Sequence, residues 1–159
     1  AIGLQQLTRF RGGFSIGAGE RQNLEIPGLG RFIPLICYEI IFPLEIHNGR
    51  AQPRALLNVT NDGWFGDTTG PRQHLHQARV RAVEEGIPLI RAANNGISAV
   101  FDPLGRIVAQ IPLNVPGVVD ARLPIAVASP LYVLWGDKIL LLLIAFCGAV
   151  LIRGRASTP

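Results

Sequence analysis

The sequence predicts an α/β or α+β sandwich followed by one strongly apolar C-terminal helix. Three observations carry that expectation. Two apolar, β-branched runs, 34–41 and 55–60, precede a single helical stretch at 72–85. Four strand-like runs follow that stretch. The chain then turns abruptly apolar beyond Leu131. Strands, a helix, then strands again is the order of a layered sheet-and-helix domain. At 159 residues the chain is long enough for one domain with a real core. It holds no methionine and begins at Ala1-Ile2-Gly3, so we expect the C-terminal part of a longer protein. The expected organisation is a domain over 1–128, a membrane helix with its flanks over 129–155, and a tail at 156–159.

The elements follow in order. Residues 1–30 are glycine-rich and read as a connector, with a short strand at Leu24-Glu25-Ile26 before the Pro27-Gly28 turn. The apolar run 34–41 reads as a buried strand carrying Cys37. If the strand continues that far, alternation puts Cys37 and Glu39 on one face and Tyr38 on the other. Residues 42–54 contain two prolines and an Asn48-Gly49 pair and predict a short helix or irregular link. Residues 55–60 form a second strand, and the turn-rich 61–71 carries two large aromatics, Trp64 and Phe65.

Pro71 suits the first helical position and Gly86 a C-cap, which bounds a helix over 72–85. Leu75, Ala78, Ala82 and Val83 recur at helical spacing and predict the buried face, leaving arginines and glutamates to the other side. Residues 88–96 read as a strand ending in a turn. Residues 97–101 and 106–111 form a hairpin linked by Asp102-Pro103-Leu104-Gly105. Residues 115–121 add an edge strand. Residues 139–152 are fourteen uncharged positions, about 21 Å of helix against a hydrocarbon core of about 30 Å. With apolar residues at 131–135, Trp135 and Lys138 as interfacial anchors, and Arg153 and Arg155 at the far end, the expectation is a transmembrane helix with a cytoplasmic C-terminus.

Charge and cysteine content exclude some functions. Net charge is +4, and the basic residues, all arginine except Lys138, are dispersed. That scatter argues against nucleic acid and is compatible with an anionic phospholipid surface. The two cysteines, Cys37 and Cys147, lie in different segments, and neither has histidines at zinc-like spacing, so we expect no disulfide, no metal and no cofactor.

The candidate chemistry centres on Cys37. A free cysteine in an apolar run is commonly a small buried hydrophobe, but at the end of a central strand it can face a cleft as a nucleophile. Trp64 and Phe65 either pack back on the domain or form a lid or lipid-contacting loop. Glu84 and Glu85, in the last helical turn, read as solvated or paired charges rather than catalytic acids. His74 and His76 read as surface or packing residues rather than bases.

The elements Ile36-Cys37-Tyr38-Glu39-Ile40, Asn61-Asp62-Gly63-Trp64-Phe65-Gly66, Gly70-Pro71 with Gln73-His74, Ala78-Arg79-Val80-Arg81-Ala82, and Arg91 with Asn94-Asn95-Gly96-Ile97 occur together and in order. In these the chain resembles the bacterial apolipoprotein N-acyltransferases, membrane enzymes whose extracytoplasmic domain belongs to the nitrilase, or carbon–nitrogen hydrolase, superfamily. The resemblance implies the C-terminal part of a nitrilase-type αββα sandwich followed by one transmembrane helix, in the bacterial inner membrane, with the domain on the periplasmic side. It also implies acyl transfer from a phospholipid, through a cysteine thioester, to the N-terminal amine of an apolipoprotein's diacylglyceryl-cysteine.

Of the Glu-Lys-Cys triad that nitrilase-like enzymes use, only Cys37 carries over, as the nucleophile. Tyr38, through its backbone N–H as an oxyanion donor, and Glu39 take supporting roles, and Trp64 and Phe65 contact the acyl chain or membrane. The sole lysine, Lys138, lies far downstream, and Glu20 and Glu25 lack a matching context, so the triad glutamate and lysine are expected upstream of Ala1. Two other readings stand beside this one: a soluble amidase or nitrilase acting on small amides, and a non-catalytic membrane-anchored remnant. Half of a four-layer sandwich should also leave apolar sheet surface uncovered.

Overall fold

The computed structural model describes residues 23–43 and 53–156. The glycine-rich stretch 1–22, with Glu20, and most of the 42–54 link, with His47, lie outside them.

One six-stranded sheet organises the domain, with strands in sequence order: β1 (Leu24–Ile26), β2 (Gly30–Ile36), β3 (Ala55–Asn61), β4 (Leu89–Asn94), β5 (Ser98–Phe101) and β6 (Ile107–Ile111). The central three run parallel, and β1, β5 and β6 pair antiparallel at the flanks. A single long helix, α1 (Gly70–Glu85), returns the chain from β3 to β4. Pro71 lies in its first turn, where its missing N–H costs nothing, and Gly86 caps it at φ +64. A side chain at Gly86 would also strike Pro130, 2.7 Å from the position of its Cβ, so this glycine seats the chain that leads on to the tail.

Register sorts the strands into two faces. Ile33, Leu56, Leu89 and Phe101 form one row, and Leu35, Asn58, Arg91 and Ala99 the next, both beneath α1. Ile36, Val59 and Ala92 form a row on the opposite face and are exposed, while Pro34, Leu57 and Ile90 behind them are half-buried. Among the described residues this opposite face is apolar and partly exposed.

Several expectations are corrected. The strand expected over 34–41 stops at Ile36, and the chain turns into a short 3-10 segment, Cys37–Ile41. The alternation expected for Cys37, Tyr38 and Glu39 therefore does not apply. The edge strand expected at 115–121 does not form. Pro116 cannot donate to a ladder and Val118 is almost fully exposed.

The inner face of α1 also differs: it buries Pro71, His74, Ala78, Arg81, Ala82 and Glu85, while Val83 is exposed and Leu75 half-buried. The helix lies over backbone carbonyls and polar strand residues that need donors. Polar side chains therefore replace aliphatic ones on this face.

The single membrane span expected over 129–155 is likewise absent. Gly136, at φ +52, divides the segment into α2 (Leu131–Trp135) and α3 (Lys138–Ala156). Among the described residues no helix is long and apolar enough to cross a membrane. The leucines of α3 are exposed nonetheless.

The β5–β6 hairpin is stapled by Asp102. Its Oδ1 accepts from the Leu104 and Arg106 N–H groups at 2.9 and 2.8 Å, and its Oδ2 from Arg106 Nε at 2.6 Å. Burial alone would raise this carboxyl's pKa, but the donors together with the Arg106 charge outweigh it and hold the group below the usual carboxylate range. A depressed folded-state pKa stabilises the fold fully above the unfolded value of 3.8 and ceases to do so as pH falls through the folded value. Asp102→Asn should therefore flatten the stability-versus-pH curve below about pH 4, as urea unfolding across a pH series would show. An unchanged slope would contradict this account of the hairpin.

Candidate active site at the C-terminal edge of the parallel strands

Because β2, β3 and β4 are parallel and in register, their C-terminal ends lie side by side. Each end delivers a polar group: Cys37 after β2, Asp62 after β3, and Asn94 at the end of β4 with Asn95-Gly96 after it. Ligand crevices in α/β sheets open at this edge.

Cys37 is half-buried and has φ +52, a left-handed conformation that non-glycine residues rarely adopt. Such strain persists only where the surroundings over-determine it. Here several bonds do so. Glu39 turns back so that its Oε2 accepts from the Ile36 N–H at 2.8 Å. The Cys37 carbonyl accepts from Asn58 Nδ2 and His74 Nε2, both at 3.3 Å. Asn58 Nδ2 also holds Leu35 O, at 3.0 Å. At the far end of the turn, Arg81 donates through Nε to Ile40 O at 3.1 Å and through Nη2 to Ile41 O at 2.9 Å. His74 and Arg81 are seven residues apart, two helical turns, so one face of α1 grips both ends of the elbow. Arg81 is itself paired with Glu84. Burial pushes the Glu84 carboxyl up, opposed by the Arg81 charge.

Beneath the elbow lies a buried polar cluster of Asn58, Asp62, His74 and Arg91, each 2% exposed or less. Arg91 is its hub. Nη2 donates to Asp62 Oδ2 at 2.7 Å, Nη1 donates to Asn58 Oδ1, and Nε donates to Ile97 O at 3.3 Å. His74 Nδ1 lies 2.9 Å from Asp62 Oδ1 and 3.1 Å from Arg91 Nη2. Since a carbonyl only accepts, Nε2 carries the proton shared with Cys37 O. Burial lowers the pKa of Arg91, while Asp62 and a negative charge at Cys37 favour its charged form. The Asn95-Gly96 turn closes on this cluster so tightly that a Cβ on Gly96 would lie 2.4 Å from Asp62 Oδ2.

The two aromatics, expected to act together, are placed differently. Tyr38 stacks on His74, with ring centres 4.8 Å apart and planes 12° apart, and Phe65 meets Tyr38 edge-on at 5.9 Å. Phe65 thus joins the packing around His74, whereas Trp64 is 84% exposed. A cleft of about 340 Å³ lined by Tyr38, Ile41, Gly70, Gln73, His74 and Gln77 opens beside this stack. Lys138 begins α3 and Glu25 lies on the edge strand β1. His76 and Cys147 are exposed.

Asp62, His74 and Arg91 stand in the motifs that carry the resemblance but received no role there, and Asn58 was read only as part of a strand. A signal existed. Asn58 and Arg91 are polar residues within otherwise apolar strands, and buried polar groups need partners.

A half-buried thiol stands on a strained elbow at the end of a parallel strand, above a buried Arg91–Asp62 ion pair. The chain belongs to the carbon-nitrogen hydrolase family, whose model matches residues 11–131. It is 53% identical over 155 residues to apolipoprotein N-acyltransferase of Rhodopseudomonas palustris, covering 97% of this chain and 29% of that protein. It is 49% identical over 156 residues to apolipoprotein N-acyltransferase of Bradyrhizobium diazoefficiens, covering 98% of this chain and again 29% of the relative. The chain therefore spans about 29% of the length of these relatives. Among solved structures, the carbon-nitrogen hydrolase from Helicobacter pylori G27 superposes with a TM-score of 0.51 at 18% identity, over 62% of this chain and 42% of that one. That likeness concerns the fold alone. The resemblance read from the motifs is borne out, and the fold is the mixed α/β nitrilase type.

Arg91→Met should destabilise the fold by about 3–5 kcal/mol, because it strands the Asp62 carboxylate in the interior. Removing both charges with Arg91→Met/Asp62→Leu should recover part of that loss. Chemical denaturation of the three variants would check both, and a double variant less stable than the sum of the singles would count against the pairing.

Proposed function

We propose that the full-length protein carrying this chain transfers a fatty acyl group from a membrane phospholipid, through a thioester on Cys37, to the N-terminal amine of the diacylglyceryl-cysteine of an apolipoprotein. The observation that carries this reading is the strained, clamped Cys37 in a chain half-identical, along nearly its whole length, to apolipoprotein N-acyltransferases.

The chemistry runs in two halves. The Cys37 thiolate attacks the ester carbonyl carbon, a C–S bond forms, and the carbonyl electrons move onto oxygen. Collapse of that oxyanion breaks the ester C–O bond and expels the lysophospholipid, which takes up a proton. The acceptor amine then attacks the thioester carbon, the C–S bond breaks, and an amide forms while a base takes the amine proton. The Tyr38 N–H donates to the oxyanion. Glu39, bonded to the Ile36 N–H, keeps the elbow wound. Glu39 is occupied at the elbow, and Lys138 and Glu25 lie on α3 and β1.

The protein works at the bacterial inner membrane, with this domain on the periplasmic side. The exposed apolar surface of α3 and the projecting Trp64 support contact with lipid there.

The competing reading is hydrolysis, in which water rather than an amine takes the acyl group. Full-length protein incubated with vesicles containing an acyl-labelled phospholipid should acquire a hydroxylamine-sensitive label at Cys37, and Cys37→Ser should not. A diacylglyceryl-cysteine peptide should then discharge the label as an amide. Discharge to free fatty acid at the same rate with and without the peptide would favour hydrolysis, and no label at Cys37 would defeat acyl transfer.

A further inference from the structure

The buried cluster under the elbow meets the nucleophile at one atom, the Cys37 carbonyl oxygen. That oxygen belongs to the same peptide unit as the Tyr38 N–H. The described backbone holds no cis peptide bond, so within this unit the C=O and N–H point in opposite directions. Whatever grips the carbonyl from the interior therefore aims the N–H outward. Asn58 Nδ2 and His74 Nε2 both grip it.

His74 has the stronger backing of the two. Its other nitrogen lies against the Asp62 carboxylate and the Arg91 guanidinium, and its ring plane is held by the stacked Tyr38 ring. Donors in such a chain polarise one another, so a firmly held carbonyl also makes its peptide N–H a better donor.

We propose that His74 is a positioning residue for acyl transfer: by holding the Cys37 carbonyl, it aims the N–H of the 37–38 peptide at the oxyanion that forms when Cys37 is acylated. The proposal rests on the acyl-transfer reading and adds to it a residue that never touches the substrate. It separates two reactions of the same thiol. Acylation passes through an oxyanion, whereas alkylation by iodoacetamide displaces iodide at a saturated carbon and forms none.

Two variants at one position isolate the contact. Glutamine places an amide nitrogen near the imidazole Nε2 and can still donate to Cys37 O. Asparagine reaches only as far as Nδ1, towards Asp62, and cannot. Both lose the stacking on Tyr38. In the full-length protein, His74→Asn should slow labelling of Cys37 by phospholipid on the order of 10- to 100-fold, a part of what deleting an oxyanion donor costs. His74→Gln should stay near the wild-type rate, and both should react with iodoacetamide as the wild type does.

Equal acylation by the two variants would overturn the proposal, as would alkylation falling in step with acylation. Should His74→Asn fail to fold, Asn58→Ser removes the other donor on the same carbonyl and must show the same split, a parallel loss again being fatal. A wild-type protein that alkylates at Cys37 but forms no thioester would instead sink the acyl-transfer reading itself.

Discussion

The buried Arg91 guanidinium ties the rest of the site together. It bonds Asn58 in β3, Asp62 just past that strand's end and the Ile97 carbonyl beyond the β4 turn, and it lies beside His74 on α1. A lysine could not do this, since its ammonium is a point charge without a planar fork. Burying the charge costs solvation, and the cost is met only because every arm has a partner. The arrangement is therefore all or nothing. With the fork in place, the ends of two strands and one helix are held in a fixed relation just beneath the elbow.

That constraint explains why the unfavourable backbone of Cys37 persists. A cysteine at positive φ relaxes unless neighbours hold it, and here the holding comes from a polar face on a helix that would ordinarily bury leucines. His74 grips the start of the elbow and Arg81 its end, while Glu39 closes the turn from within. A helix α1 whose inner face were apolar throughout would leave the carbonyls of the elbow without its His74 and Arg81 donors. The polar inner face of α1 and the strained cysteine are two sides of one solution.

The second face of the sheet belongs to a different problem. Ile36, Val59 and Ala92 form an exposed apolar row directly behind the strand ends that carry the site. Their row and the row beneath α1 alternate along the same strands, so the polar cluster and the uncovered apolar surface are set by one register. A one-residue slip would exchange them. Tail and domain are linked through Gly86, Val127 and Pro130, where the tail lies against the cap of α1.

The sequence by itself determined the local elements: the strand cores, the Pro71 start and Gly86 stop of α1, the Asp102–Gly105 connection, and Cys37 as the residue to watch. Periodicity, proline, glycine and turn chemistry act over a few residues, and each was readable at that range. Only the tertiary structure decided where the strand around Cys37 ends, which face of α1 goes inside, and that the apolar tail breaks at Gly136. The first two outcomes depend on partners distant in sequence. His74, bland beside Gln73 and Leu75, becomes central because the parallel register of β2, β3 and β4 brings Cys37, Asp62 and Arg91 to it. Hydrophobic patterning alone places arginine and histidine outside. The need to satisfy buried carbonyls and a buried charge, visible only once the strands are side by side, brings them in.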